Sequence, residues 1–344
     1  MSPVWFPVPP PGYGGIEWIV SLLADGLVDA GHEVTLFASG DSRTKAHLAS
    51  VYDVAPSEWI GHTFWDLRHT VSCLVRRDEF DVISDHTGLL GLALGSQGPT
   101  PFAHTVHGPL TGEPGAVYAE LASILPHAAL IAISETQRSR KPDLPWVATC
   151  RNALDLSTYP FAPEKGDYLL FLGRMTADKG AHRAVAVAKE CGLPLKLAGK
   201  CREPLEQEYF DALVRPHLSD RIEYVGEVTH GEKVALLQGA RVTLFPIKWE
   251  EPFGLVMIES MACGTPVIAT RFGAVPEVVE DGATGIVVDR WQDMAGALER
   301  ADAIDPHVQR RAVEERFSPE RMVADYVRAY EGTIERWGAQ SPAA

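Results

Sequence analysis

Apolar and polar positions along this chain alternate between two periods. Short, nearly continuous apolar runs occur at Val34–Ala38, Asp81–Asp85, Pro101–His107, Ala128–Ser134, Tyr168–Gly173, Leu195–Ala198, Ile222–Val225, Val242–Pro246, Val267–Ala269 and Ile286–Val288. Runs of that length between turn residues predict buried strands. Between them the spacing changes to that of a helix. Ile16, Ile19, Val20, Leu23 and Leu27 share one helical face, and so do Phe253, Val256, Met257 and Ser260. Residues 57–77, His182–Cys191 and Pro319–Trp337 read as further helices. Strand–helix alternation in two successive halves predicts an α/β protein of two doubly wound, Rossmann-like domains. The predicted boundaries are 1–160 and 161–318, with Tyr159–Gly166 as linker and a closing helix in 319–344. A doubly wound domain opens on an apolar strand that feeds a glycine turn. Here the turn is present (Gly12, Gly14, Gly15), but only Met1–Phe6 precede the proline cluster. The first strand is expected to be stunted, or the start to be assigned late.

Composition narrows the class. The 344 residues suffice for two domains, and 46% hydrophobic with 22% charged residues is ordinary for a globular chain. The formal net charge is −15; residues 1–160 hold 9 Lys/Arg against 17 Asp/Glu, and 161–344 hold 22 against 29. Both halves are acidic, so no basic stripe marks a nucleic-acid partner. No broad cationic face offers itself to anionic lipid, no apolar run is long enough for a membrane span, and no signal peptide is expected. Residues 57–77 mix Trp59, Phe64 and Trp65 with Arg68, Arg76 and Arg77. They form either an acceptor or membrane-edge surface or a packed helix with a solvated face, which leaves weak peripheral membrane contact open. Five cysteines without a C-x-x-C pair point to free thiols in a reducing cytoplasm.

The densest chemistry lies in Trp249–Thr270, WEEPFGLVMIESMACGTPVIAT. Proline suits the first helical position, so a helix is expected from Pro252 to the stop at Gly264 and Pro266. Its free N–H groups lie beside Glu251 and Gly254 and form an anion site. Glu259 follows eight residues later, about 12 Å along a helix axis, among Ile258, Met261 and Ala262, where a carboxylate wants a partner. A capped, buried helix is the plainer alternative. Arg174 and Lys179 follow the Tyr168–Gly173 strand, where two cations would neutralise a diphosphate; two solvated surface charges would look the same. Gly14 and Gly15 suit close backbone approach to a phosphate or sugar, or a plain turn. His86 and His107 sit at strand ends, where parallel sheets bind ligands. A metal is not expected, because neither H-E-x-x-H nor a cysteine partner accompanies them. A Walker loop and a G-x-G-x-x-G after a strand are both absent.

Glu251 with Glu259 and the following ACGTPVIAT turn resembles the C-terminal motif of retaining glycosyltransferases, family 4 in particular, and Arg174 with Lys179 is the second match. The resemblance covers nearly the whole chain. It implies a GT-B fold: two doubly wound domains facing a cleft, the acceptor on the first, the nucleotide-sugar donor on the second, and the last helix crossing back. It further implies catalytic roles for His107, Arg174, Lys179 and Glu251. Gly14, Gly15, Gly226, Val228, Phe253, Gly254, Leu255 and Glu259 become donor-binding, with Gly226 to Val228 holding the base through backbone groups. Glu17 matches the position after the glycine loop, and Arg151–Asp155 the family's Asn-Gly-Val-Asp turn with Ala153 replacing glycine. The implied reaction moves a hexosyl unit from a nucleotide diphosphate sugar, UDP favoured over GDP on family frequency, to an acceptor hydroxyl, with retention and without metal or other cofactor. The partners expected are the nucleotide sugar and a small hydroxyl acceptor. A nucleotide-sugar epimerase and a non-catalytic nucleotide-sugar binder remain alternatives.

Overall fold

The computed structural model describes residues 1–340 apart from Tyr13 and Pro126. The chain forms two compact units. The first holds Met1–Pro10, Gly14–Ala153 and the chain from Pro319 onward, and the second is built on Leu154–Ser318.

The first unit contains α1 (Gly15–Asp29), β1 (Thr35–Phe37), β2 (His47–Ala49), α2 (Thr63–Leu74), β3 (Ile83–Asp85), α3 (Leu89–Gly95), β4 (Phe102–Val106), α4 (Gly112–Ile124), β5 (Ala129–Ala132), α5 (Glu135–Arg140) and β6 (Trp146–Thr149). β1 and β2 pair in parallel, and β3-β4-β5-β6 form a separate parallel sheet. Every residue of β4 and β5 is buried, as expected of parallel strands covered on both faces. The stunted first strand takes the form of a link. Ser2 N–H donates to Phe37 O at 3.0 Å, and Met1 O accepts from His86 N–H at 3.0 Å. Met1 and Ser2 therefore bridge the two sheets without forming a strand.

The 57–77 segment departs from expectation. A short turn at Ser57–Trp59 is separated from α2 by Ile60, Gly61 and His62. The buried residues of α2 are His69, Thr70 and Cys73, with His69 Nε2 2.9 Å from Ser2 O. Several of its apolar residues face outward: Phe64 is 61%, Val71 42% and, just past the helix, Val75 74% exposed. The helix is packed, since Cys73 lies in the core with Met1, Phe37 and Phe102 and Leu74 packs against them, but its outer side carries apolar residues as well as polar ones.

The second unit runs β7 (Tyr168–Leu172), α6 (Ala181–Cys191), β8 (Leu195–Ala198), α7 (Pro204–Leu213), β9 (Ile222–Gly226), α8 (His230–Gly239), β10 (Ala240–Phe245), α9 (Leu255–Ala262), β11 (Val267–Thr270), α10 (Val275–Val278), β12 (Gly285–Val288), α11 (Leu298–Asp302) and α12 (Pro306–Arg316). Its six parallel strands lie in the order β12-β11-β10-β7-β8-β9. Counted from the unit's own first strand this is the 3-2-1-4-5-6 order of dinucleotide-binding sheets, with the topological switch between β7 and β10. Leu169, Phe171, Leu197, Leu244, Ile268 and Ile286 from the strands pack with Ala184, Val185 and Ala188 of α6. Each fully buried larger side chain contributes roughly 1.5–3 kcal/mol.

The division falls at Ala153/Leu154, earlier than the expected boundary at 160. Residues 154–160 are bound to the second unit: Leu154 N–H donates to Phe317 O at 3.0 Å, and Arg310 on α12 donates to Tyr159 O at 2.6 Å. The closing helix α13 (Pro319–Gln340) belongs to the first unit. It buries Met322 and Tyr326 and donates from Arg321 to Arg151 O at 2.7 Å.

Candidate active site

In the second unit, chemistry gathers after β7 and β10, on either side of the switch point. The chain leaving β10 reaches Gly254 with φ +87°, the left-handed region, and α9 starts only at Leu255. The positive φ favours glycine here, and a Cβ would only push aside the flexible end of Met257, 2.5 Å away. Pro252 and Phe253 therefore lie outside the helix that was expected to begin at Pro252. Phe253 instead fills a buried position edge-on to Phe317, ring centroids 5.7 Å apart. Glu251 lies outside the helix too, so the 12 Å helical spacing to Glu259 does not apply. Its backbone is held from the other side: Ala274 N–H donates to Glu251 O at 2.8 Å, and Gly273, at φ +55°, lies so close that a Cβ would sit 2.2 Å from that oxygen.

The Glu251 carboxylate is buried and used through one oxygen. Lys179 Nζ lies 2.6 Å from Oε2, and the Trp249 indole N–H donates to the same oxygen at 3.1 Å. Lys179 also sits 4.2 Å over the Trp249 ring, a cation–π contact. The loop that carries Lys179 is fastened to the end of β10. Arg183 on α6 donates to Pro246 O at 2.7 Å and to Ala177 O at 2.9 Å, and Lys248 N–H donates to Asp178 O at 2.8 Å. Burial lowers the Arg183 pKa from its ordinary value. Arg174 is looser, 3.9 Å from Glu206 and partly exposed.

Glu259 repeats the pattern on α9. Its Oε1 accepts from the Tyr159 hydroxyl at 2.7 Å and from Lys233 Nζ at 2.5 Å. Burial and the Glu259 charge push the Tyr159 hydroxyl well above the usual tyrosine range. Each acid thus gives one oxygen to a lysine and an aromatic donor, and the other oxygen takes neither. Gly226 ends β9 at φ +86°, and its carbonyl accepts from Gly199 N–H at 2.8 Å; Val228 follows in the loop before α8.

In the first unit, Gly14 caps α1 and Gly15 is its first residue. Glu17 is buried beneath this turn, and burial outweighs a bond from its own backbone to hold the carboxyl at about 7. His107 follows β4, and its Nε2 lies 2.9 Å from His86 Nδ1. His86 Nε2 is 3.1 Å from Ser84 Oγ, which accepts from the Tyr330 hydroxyl at 2.7 Å. Burial, then neighbouring His104, lowers His107 to about 3. His104 is packed in β4, with Nδ1 2.6 Å from Asp85 and Nε2 3.0 Å from the Tyr118 hydroxyl. Burial alone would raise Asp85, but the bonds from His104 and Thr87 hold it below the ordinary carboxylate value. Among the described residues, no group of three or more His, Cys, Asp or Glu is placed to hold a metal.

Residues 159–313 match the model of the glycosyl transferases group 1, and residues 13–140 match that of glycosyltransferase family 4. The chain belongs to these glycosyltransferases. The glycogen synthase of Mycobacterium tuberculosis is 34% identical over 198 residues, 54% of this chain and 46% of that one. The chain therefore spans about half the length of this curated relative. A D-inositol 3-phosphate glycosyltransferase of Pseudarthrobacter chlorophenolicus is 26% identical over 348 residues, 83% of this chain and 82% of its own. Among solved structures, AviGT4, a glycosyltransferase involved in avilamycin A biosynthesis, shares 28% identity with a TM-score of 0.71, covering 96% of this chain and 93% of that one. The architecture is GT-B.

Within this glycosyltransferase the fold brings Lys179 onto Glu251, sets Gly254 and Leu255 at the start of α9, and puts Glu259 on the same helix. Arg174 follows β7 but touches neither acid in the contacts found. Sequence reasoning missed Trp249, Tyr159, Lys233 and Arg183. Trp249 abuts Glu250–Glu251, and a tryptophan beside a predicted anion site was the available signal. Lys233 and Tyr159 stand 26 and 100 residues from Glu259, so no local spacing could pair them.

Proposed function

We propose that this protein transfers a hexosyl unit, with retention, from a nucleotide diphosphate sugar to a hydroxyl of a small acceptor, with UDP the favoured carrier. The observation that carries the reading is the Lys179–Glu251–Trp249 cluster beside the N-terminus of α9, at the switch point of a 3-2-1-4-5-6 sheet. Open α/β sheets bind ligands outside the strand ends at that point, and a helix start with adjacent cations suits a diphosphate. Lys179 and Arg174 are assigned to the diphosphate and to the charge that grows on it as the sugar leaves. They take the part a metal would otherwise play, so no cofactor is required. Glu259 is assigned to the ribose hydroxyls through the oxygen that Lys233 and Tyr159 leave open, and Gly226 and Val228 to the base. Glu251 is assigned to the sugar hydroxyls in the same way, with Phe253, Gly254 and Leu255 shaping the donor side. His107, Gly14 and Gly15 are assigned to the sugar and phosphates.

In the proposed step the C1–O bond to the β-phosphate breaks and the acceptor oxygen bonds C1 on the same face. The acceptor proton passes to the departing phosphate oxygen. Glu251 orients the sugar and does not attack it; substantial turnover by Glu251→Gln would end the rival proposal of a covalent intermediate on this acid. Five free thiols suit a reducing compartment, and the cytoplasm is the proposed location; no helix among the described residues is long and apolar enough to cross a membrane.

Calorimetry with UDP, GDP, dTDP and NAD in the absence of metal tests the reading. Tight binding of one nucleoside diphosphate, lost in Glu259→Ala, supports the site and chooses the base. Binding by none of the three nucleoside diphosphates would overturn it.

A further inference from the structure

The histidine assigned to the donor sugar ends a chain of hydrogen bonds that nothing above has used. It begins on α13, where Tyr330 donates to Ser84 Oγ at 2.7 Å. Ser84 Oγ lies 3.1 Å from His86 Nε2, and His86 Nδ1 lies 2.9 Å from His107 Nε2. The rings of His86 and His107 are 5.1 Å apart, and His86 packs 5.8 Å from Tyr326. His107 Nδ1 makes no hydrogen bond among the described residues.

Proton counting gives this chain a direction. A serine oxygen that accepts the Tyr330 hydrogen still has its own hydrogen to give, and His86 Nε2 is within reach. A bond from Ser84 makes His86 Nε2 the acceptor, so a neutral His86 carries its hydrogen on Nδ1. That hydrogen points at His107 Nε2, so a neutral His107 must carry its own on Nδ1. The reverse assignment runs His107 Nε2–H to His86 and His86 Nε2–H to Ser84. The serine oxygen would then accept twice, and its hydrogen would have no acceptor among the described contacts. Both rings are neutral, since burial pushes each below the ordinary histidine value.

We propose that Tyr330, Ser84 and His86 are positioning residues that fix His107 as its Nδ1–H tautomer. His107 thereby presents a hydrogen-bond donor, not an acceptor, to an oxygen of its ligand. Which ring nitrogen of a histidine carries the proton is set by the bond the other one makes. The functional half of this proposal rests on the assignment of His107 to the donor sugar; the tautomer half does not. A neutral donor adds no charge to a sugar hydroxyl, unlike the lysines that serve the acids of the second unit.

Long-range proton–nitrogen NMR on the full chain, labelled at histidine nitrogen, reads the tautomer directly. His107 is assigned by comparison with His107→Gln. Expected is a protonated Nδ1 and a bare Nε2 in the parent protein. In Ser84→Ala and Tyr330→Phe the ring should move toward the intrinsically favoured Nε2–H form, and Ser84→Thr, which keeps the hydroxyl, should retain Nδ1–H. Turnover should fall about 10- to 100-fold in Ser84→Ala, taking the scale known for the orienting partners of metal-bound histidines, with the donor KM unchanged and with rescue in Ser84→Thr. A bare Nδ1 on His107 in the parent protein, or an unchanged tautomer in both disruptive variants, would overturn the proposal. Full turnover by His107→Gln, with the tautomer as expected, would instead sink the catalytic assignment of His107 and leave the relay as structure alone.

Discussion

The two units meet the problem of buried polar groups with a different balance of charged and neutral partners. The second buries charge against charge: Lys179 on Glu251 and Lys233 on Glu259, each completed by an aromatic donor. The first pairs its Asp85 carboxylate with His104 and otherwise buries a neutral network of Tyr330, Ser84, His86 and His107. A cation–carboxylate pair suits a ligand that carries charge, and neutral donors suit one that carries hydroxyls. The difference also predicts how each unit fails. Removing one partner of a buried ion pair leaves an uncompensated charge, whereas removing one member of a neutral chain leaves only an unmade bond.

The largest expected effect comes from Glu251→Ala. Lys179 would be left largely buried without its partner, and the second unit should lose about 3–5 kcal/mol, the scale for a broken buried pair. Denaturant unfolding measures this, and Glu251→Gln with Lys179→Met should recover most of the loss. A single variant no more costly than the double would break the comparison. Next in size is nucleotide affinity. Lys179→Ala and Arg174→Ala should each weaken nucleoside diphosphate binding by roughly 1.5–3 kcal/mol, the scale of a hydrogen bond to a charged group. Unchanged affinity by calorimetry in either variant would remove that residue from the site. Gly254→Ala should cost about 1–2 kcal/mol, the penalty for a side chain in left-handed backbone, and should also weaken nucleotide binding because it moves the start of α9.

The last effect is a slope with pH, in which opposing groups partly offset one another, and it belongs to the first unit. Burial keeps His69 neutral down to about 4 and His107 down to about 3, and lowers His86 as well. The unfolded chain takes up these protons near 6.5, so below that pH it binds more protons than the folded one. Stability should therefore fall as pH drops from 6.5 toward 4, by up to about 1.4 kcal/mol per pH unit for each ring. Glu17, held at about 7 by burial, and Asp66, raised to about 6 by burial and then by Asp85, act in the opposite sense. Their protonated folded forms favour lower pH. Glu17→Gln should therefore steepen the acid loss in thermal unfolding; an unchanged slope would show that Glu17 is not buried as a neutral acid.

What could be read in the sequence follows the range of the interactions involved. The strands of the second unit were visible because parallel strands covered on both faces are continuous apolar runs, as in Tyr168–Leu172 and Val267–Thr270. Arg174, Lys179 and Glu251 stood out as candidates because strand ends and helix starts are punctuated by glycine and proline, and Glu259 because an acid stood among apolar neighbours. The start of α9 was misplaced by three residues, because Pro252 is a good first helical residue and nothing local shows that Gly254 adopts positive φ. The outward apolar face of α2 was not legible, since a helical period says that a face exists but not which way it turns. Lys233, Tyr159 and the Tyr330–Ser84 bond join residues 26, 100 and 246 positions apart, beyond the reach of any spacing rule.

The return of α13 to the first unit has a consequence for biosynthesis. Domains generally fold as units while the chain emerges, N-terminal parts first. Here Leu154–Ser318 can complete its sheet before α13 has been made. The first unit must wait, because Tyr326 and Tyr330, which pack on β4 and reach Ser84, are translated only after the whole of Leu154–Ser318. The half that leaves the ribosome first is thus the half that matures last, and throughout that interval its β4 and β6 lack the helix that packs against them.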